Sequence, residues 1–153
     1  MDKITKRLTI KVSPEKAYQN FLSDLKSWWP REYTWSQDKL ADIKIEEKQD
    51  GLCTEVGPYG FRCDWGRVTE LIEGQRIGLK WQIGFSREPI PDPEKASDIL
   101  LVFKPTNKTS TIIEFEHRNF ENHGKQAVDY RKMMNGPQGW NYILNRFKEY
   151  CEK

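Results

Sequence analysis

One histidine stands out for the chemistry that it offers. The segment from Thr111 to His117 alternates as a half-buried strand does, which places His117 on the same face as Ile113 and Phe115. A histidine among aromatic side chains in a cavity can orient a polar ligand or act as a general acid or base. The alternative is a core histidine whose ring is hydrogen-bonded to the backbone or to a charged neighbour. The sequence leaves both roles open.

Aromatic residues are the second chemical signal. Trp28, Trp29 and Trp35 lie within eight positions and make up half of the six tryptophans. Tryptophan fills a core, but it also stacks on ligands, and its N–H needs a partner when it is buried. We therefore predict a cavity for an apolar or aromatic ligand, with a filled core as the alternative. The predicted ligand-binding residues are Trp29, Tyr33, Trp35, Tyr59, Trp65, Trp81, Phe103, Phe115, His117, Trp140, Leu144 and Phe147.

Composition and motifs disfavour several other kinds of site. A formal net charge of +2 at pH 7 is too weak to supply the concentrated basic surface that nucleic acids require. The three cysteines have no CxxC or zinc-ligand spacing, so we predict no metal site and no disulfide. The motifs of nucleotide-binding folds, zinc proteases and serine hydrolases are missing, so we predict no cofactor and favour a protein that is not an enzyme.

The length of the chain suits a single domain over residues 1–153. Its apolar runs are shorter than the about 20 residues that a membrane-spanning helix needs, and its first residues lack the apolar stretch of a secretory signal. We therefore expect a cytoplasmic protein without a membrane span.

The elements that must position these side chains follow from periodicity. Ile4, Leu8 and Ile10 share one face of a first strand, and Ser13 with its following proline is a signal for the start of a helix. Pro30 should end or bend that helical region just after the paired tryptophans.

The middle of the chain predicts strands joined as hairpins. These strands run between residues 43 and 117, and Asp50-Gly51 predicts a tight turn. Residues 84–97 contain three prolines, so we predict a rim segment outside the sheet.

The last residues predict a helix with one apolar face, formed by Trp140, Ile143, Leu144, Phe147 and Cys151. Hairpin strands followed by helices indicate an α+β architecture, in which the sheet buries its apolar face against this terminal helix. A strongly curved sheet around a helix leaves a space between them.

Several blocks of sequence resemble one family. The blocks are WGRVTELIEGQRIGLKW, EHRNFENHGKQA and GPQGWNYILNRFKEY, together with VSPEKAYQNF followed by WWP near the start. They are similar to homologues of the activator of heat-shock protein 90 ATPase, in the SRPBCC or START-like superfamily. The resemblance implies a helix-grip fold like that of the birch pollen allergen. Such a fold has a curved antiparallel sheet of about seven strands around the C-terminal helix, with a short helical pair after the first strand.

The resemblance implies three alternative functions, because the superfamily includes carriers, enzymes and co-chaperones. The first is binding of an apolar, aromatic or lipid-like small molecule, and it is our prediction. The second is a polyketide cyclase or aromatase activity, with His117 and either Tyr33 or Tyr59 moving protons. The third is binding to a chaperone partner, as in a stress response. We expect a monomer or a homodimer.

Overall fold

The chain folds as an antiparallel sheet packed against helices in the computed structural model, which describes residues 2–153. The strands are β1 (Ile4–Ile10), β2 (Asp42–Ile45), β3 (Leu52–Val56), β4 (Arg62–Ile72), β5 (Arg76–Trp81), β6 (Ser97–Asn107) and β7 (Ser110–Arg118). The helices are α1 (Pro14–Ser23), α2 (Leu25–Trp28), α3 (Ala127–Asn135) and α4 (Trp140–Cys151). Short 3-10 turns span Arg31–Tyr33, Gln37–Lys39, Pro58–Gly60, Pro93–Lys95 and Phe120–Gln126.

The seven strands form one sheet in the order β1-β7-β6-β5-β4-β3-β2, and all neighbours are antiparallel. Strands β1 and β2 therefore lie at opposite edges, and α1 and α2 connect them. Strand β7 pairs with both β1 and β6, so Ile4 and Ile99 lie on either side of His117. The sheet curves around the C-terminal helix, which confirms the predicted α+β helix-grip architecture.

The first helical region begins and ends where the sequence predicts. Ser13 caps α1, because its hydroxyl accepts a hydrogen bond of 3.2 Å from a backbone N–H of the first turn. Trp29 has extended backbone angles (φ −62°, ψ 135°) directly before Pro30, the conformation that a following proline favours. Residues 28–36, which we call the tryptophan segment, thus leave the helix and cross one end of the sheet.

Helix α4 supplies the other half of the interior. Its buried residues are Trp140, Ile143, Leu144, Phe147 and Cys151, the face that periodicity predicts. Among residues 2–153, the helices are all too short or too polar to span a bilayer.

The connection between β2 and β3 differs from the predicted tight turn. Residues 46–51 join the two strands, instead of Asp50 and Gly51 alone. The Gly51 N–H donates to the Lys48 carbonyl at 2.9 Å. A Cβ at Gly51 would lie 2.2 Å from the Glu46 carbonyl oxygen, so this longer turn needs glycine for its close backbone approach.

A bulge in β4 decides where one tryptophan lies. Cys53 pairs with Gly66, and the next residue of β3, Thr54, pairs with Asp64. Trp65 is therefore an extra residue without a partner across the ladder. Bulges re-aim side chains, and this one brings Trp65 into the interior at the same end of the sheet as the tryptophan segment.

Candidate ligand-binding cavity

A cavity of about 330 Å³ lies at one end of the interior. This volume falls within the range of about 300 to 1,000 Å³ that is usual for small-molecule sites. The cavity lies between the sheet, the tryptophan segment, the loop between β5 and β6 and the connection between α3 and α4. Its lining residues are Trp29, Tyr33, Thr34, Trp35, Ile43, Glu55, Trp65, Trp81, Ile83, Gly84, Phe85, Arg87, Tyr130, Met133, Met134, Gln138, Gly139 and Ile143.

Three tryptophans form one wall of the cavity. Trp29 comes from the tryptophan segment, Trp65 from the bulge and Trp81 from the end of β5. The Trp29 ring centroid lies 5.9 Å from that of Trp65 and 6.0 Å from that of Trp81, and the Trp65 and Trp81 centroids are 5.9 Å apart. These are separations of interacting aromatic rings, so the three indoles form one cluster.

Hydrogen bonds tie three separate pieces of chain together at the mouth. The Trp35 Nε1 donates to the Arg87 carbonyl at 2.9 Å, and Arg87 Nη2 donates to the Tyr33 carbonyl at 2.5 Å. The Tyr33 hydroxyl donates to the Gln138 carbonyl at 2.7 Å. The segment of residues 84–97, predicted as a rim, is thus connected to the tryptophan segment, which also contacts the α3–α4 connection.

Tyr130 is a polar lining residue whose hydrogen bonds are already made. Its hydroxyl accepts a bond of 2.7 Å from Trp81 Nε1 and donates one of 2.7 Å to the Ile83 carbonyl. Burial raises the pKa of Tyr130 well above its ordinary value. The hydroxyl therefore stays neutral and holds Trp81 in place.

Glu55 is the one acidic residue of the lining, and it is among the lining residues that sequence reasoning missed. Its side chain is buried, with 1% exposed, and it is the only carboxylate among the buried polar residues of 2–153. Its Oε1 accepts from the Trp35 backbone N–H at 3.1 Å, and its Oε2 accepts from the Ser36 N–H at 2.8 Å and the Ser36 hydroxyl at 2.7 Å. One hint was available, because Glu55 alternates with Cys53, which is fully buried on the same strand.

Five of the predicted ligand-binding residues line the cavity: Trp29, Tyr33, Trp35, Trp65 and Trp81. Phe103, Phe115, His117, Trp140, Leu144 and Phe147 lie outside it, in the filled core. Close ring contacts there, such as 4.5 Å between the Phe115 and Trp140 centroids, leave that part of the interior occupied by side chains. The seventh residue outside the cavity is Tyr59, which is fully exposed at φ 56° in the turn between β3 and β4, beyond the end of the sheet.

His117 lies in the filled core with both ring nitrogens engaged. Trp140 Nε1 is only a donor, so its 2.9 Å bond makes His117 Nδ1 an acceptor. The proton of His117 is then on Nε2, which donates to the Ser97 hydroxyl at 2.6 Å, and Ser97 Oγ is 2.7 Å from His123 Nε2. Burial, and to a lesser degree His123, lowers the pKa of His117 well below its ordinary value. The neutral ring is thus held as part of the core.

Within residues 2–153, no three histidine, cysteine, aspartate or glutamate side chains are placed to hold a metal ion together. Burial raises the pKa of the Cys53 and Cys151 thiols.

Comparisons with known proteins agree with this fold. The family model described as activator of Hsp90 ATPase homolog 1-like protein matches residues 11–152. A solved anthrahydroquino-γ-pyrone synthase is 27% identical, with 97% of this chain and 96% of that chain covered at a TM-score of 0.70. A comparison with curated proteins finds no match.

Two further solved structures share the fold at lower identity. The self-sacrificing resistance protein CalC from Micromonospora echinospora is 20% identical, with 97% and 93% of the two chains covered at a TM-score of 0.68. The Aha1 dimer from Colwellia psychrerythraea is 22% identical, with 99% and 97% covered at a TM-score of 0.65.

Proposed function

The chain belongs to the family of activator of Hsp90 ATPase homolog 1-like proteins, as its sequence blocks predict, and within that family we propose that it binds an apolar or aromatic small molecule. The observation that carries this proposal is the cavity of about 330 Å³ walled by Trp29, Trp65 and Trp81. A concave, mostly apolar space with a few placed polar groups is typical of small-molecule sites.

The chemistry of the walls supports an aromatic ligand in particular. Indole rings offer large, rigid faces on which another ring stacks, worth about 0.5 to 1.5 kcal/mol per pair beyond the buried area. The name of the 27% identical synthase refers to a fused-ring aromatic compound, which supports the same class of ligand. Binding requires no catalytic group, and His117 does not line the cavity.

Binding to a chaperone is a second candidate, and the family membership favours it. A pull-down from lysate that recovers a chaperone in stoichiometric amount would support this function, and it can be carried out with the same protein.

Native mass spectrometry tests the first proposal directly. The mass of the freshly purified protein is compared with its denatured mass, and an adduct that disappears on denaturation gives the mass of a bound small molecule.

A titration with 1-naphthylmethanol extends the test to a defined ligand. Trp35→Ala removes one ring from the mouth, so we expect its affinity to fall about tenfold, the effect of losing about 1.4 kcal/mol. Tyr59→Ala is the matched control, because Tyr59 is fully exposed outside the cavity, and its affinity should stay unchanged. Equal affinities for Trp35→Ala and the unaltered protein would contradict the proposed site.

A further inference from the structure

We propose that the cavity selects a positively charged ligand, an aromatic amine whose ammonium group contacts Glu55. This inference rests on the proposed function and names the class of ligand that the same site prefers.

Glu55 lacks a counter-charge among residues 2–153. A buried carboxylate is costly unless a cation or enough hydrogen bonds compensate it. Each salt bridge among residues 2–153 involves another acidic residue, so Glu55 has no lysine or arginine nitrogen of this region within 4.0 Å. The protein therefore places one buried negative charge at the cavity without a cation of its own.

The Glu55 carboxylate also has unused capacity to accept hydrogen bonds. Its three hydrogen bonds all come from Trp35 and Ser36, and two of them go to Oε2. Oε1 accepts a single bond, of 3.1 Å. Because each carboxylate oxygen has two lone pairs, Oε1 keeps room for a further donor, and Glu55 lines the cavity.

Indole rings line the same cavity as this carboxylate. The faces of Trp29, Trp65 and Trp81 carry the negative side of the indole quadrupole, and tryptophan is the best aromatic partner for a cation. The Glu55 carboxylate and the indole rings that line the same cavity both offer contacts that a cation prefers. An ammonium group also supplies the donor that Oε1 lacks.

Arg87 is the one lysine or arginine of the lining. It is an exposed residue whose Nη2 donates to the Tyr33 carbonyl at the mouth. Solvent and salt screen an exposed charge, whereas the charge of Glu55 is buried. Screening therefore weakens the charge of Arg87 more than that of Glu55.

Two probes that share one aromatic body test the proposal. 1-Naphthylmethylamine is charged at pH 7, and 1-naphthylmethanol is its neutral counterpart of similar shape. Isothermal titration of each into the full chain should show that the amine binds about tenfold more tightly than the alcohol.

Variants then assign this preference to one carboxylate. Glu55→Gln keeps the size of the side chain but removes its charge, so the ratio of the amine affinity to the alcohol affinity should fall to about one. Ser36→Ala loosens the same contacts but keeps the carboxylate, and Glu46→Gln removes an exposed carboxylate outside the cavity. Both controls should keep the preference.

The outcomes separate the two proposals. Equal binding of the amine and the alcohol by the unaltered protein would overturn the charge selection and leave the proposed function standing. A preference that survives in Glu55→Gln would overturn the role of Glu55. Binding of neither probe would overturn both proposals. The comparison of probes on the unaltered protein needs no variant, so it decides the question even where Glu55→Gln fails to fold.

Discussion

The two ends of the interior use the same residue types and differ in how completely they are packed. We call the region around Trp29, Trp65 and Trp81 the cavity end, and the region around His117 and Trp140 the filled end. Trp81 and Trp140 meet at the boundary, with ring centroids 5.3 Å apart. At the filled end, both nitrogens of His117 are hydrogen-bonded within the protein, whereas at the cavity end Oε1 of Glu55 keeps a free lone pair.

The difference follows from what covers each end. Helix α4 covers the filled end, and a helix inserts a side chain at each three- to four-residue step. The cavity end is covered by the tryptophan segment and the loop between β5 and β6, which are connected to each other at the mouth, together with residues of α3 and α4. Aromatic residues at the two ends therefore differ in whether they border empty space, and they do so where irregular chain contributes to the cover.

The largest expected effect is a difference in stability when one tryptophan at each end is truncated to alanine. Trp140→Ala should destabilise the protein by about 3 to 5 kcal/mol, because it opens a void against Phe115 and removes the donor to His117 Nδ1. Trp35→Ala should cost only about 1 kcal/mol, since Trp35 is half-buried at the mouth. Urea unfolding of both variants measures the difference, and equal losses would contradict the comparison.

A second pair of variants compares neighbouring positions on α4 by adding volume. Leu144→Phe should cost about 1 to 3 kcal/mol, because Leu144 is buried away from the cavity. Ile143→Phe points its extra volume into the cavity, so it should cost less than about 1 kcal/mol and weaken naphthalene binding. Thermal unfolding and titration read out the two effects. A larger loss for Ile143→Phe would mean that this end is also filled.

The buried His117 at the filled end should also make the stability of the protein depend on pH. The folded-state pKa of His117 is lowered below its ordinary value of 6.5, so below about pH 6.5 the unfolded chain binds a proton that the native state does not. Stability should therefore fall as the pH drops, by up to about 1.4 kcal/mol per pH unit.

His117→Gln removes this titration and should flatten the dependence between about pH 5 and 6.5, a window above the usual carboxyl range. His123, whose pKa burial also lowers, contributes in the same direction, so His123→Gln is measured alongside. Urea unfolding at several pH values checks both, and a slope unchanged in His117→Gln would show that the ring is not held neutral.

The smallest expected effect is at the mouth. Arg87 has a φ of 66°, which favours glycine, and its side chain makes one exposed bond to the Tyr33 carbonyl. Arg87→Gly should therefore change stability by less than about 0.5 kcal/mol. It should nonetheless speed ligand exchange, which stopped-flow tryptophan fluorescence measures. Unchanged exchange rates would mean that this bond does not restrain the mouth.

Much of the fold could be predicted because its signals are local. The Ser13 cap, the break at Pro30 and the apolar face of α4 each depend on residues within one or two helical turns, and all three are present. The prediction of a tight turn at Asp50-Gly51 was wrong in length. The close approach of Gly51 to the backbone carbonyl of Glu46 sets the shape of the longer turn.

The candidate site was predicted less completely, for a physical reason. Aromatic content and alternation in the sequence determined that a large apolar interior would form between a sheet and α4. Only the tertiary structure decided which side chains border empty space. That depends on the bulge at Trp65 and on contacts such as the hydrogen bond between Trp35 and Glu55, which lie 20 residues apart in the sequence. The burial of a side chain and the volume of a cavity both depend on contacts between residues distant in sequence. No local sequence pattern therefore predicts the position of the cavity or the burial of the Glu55 charge.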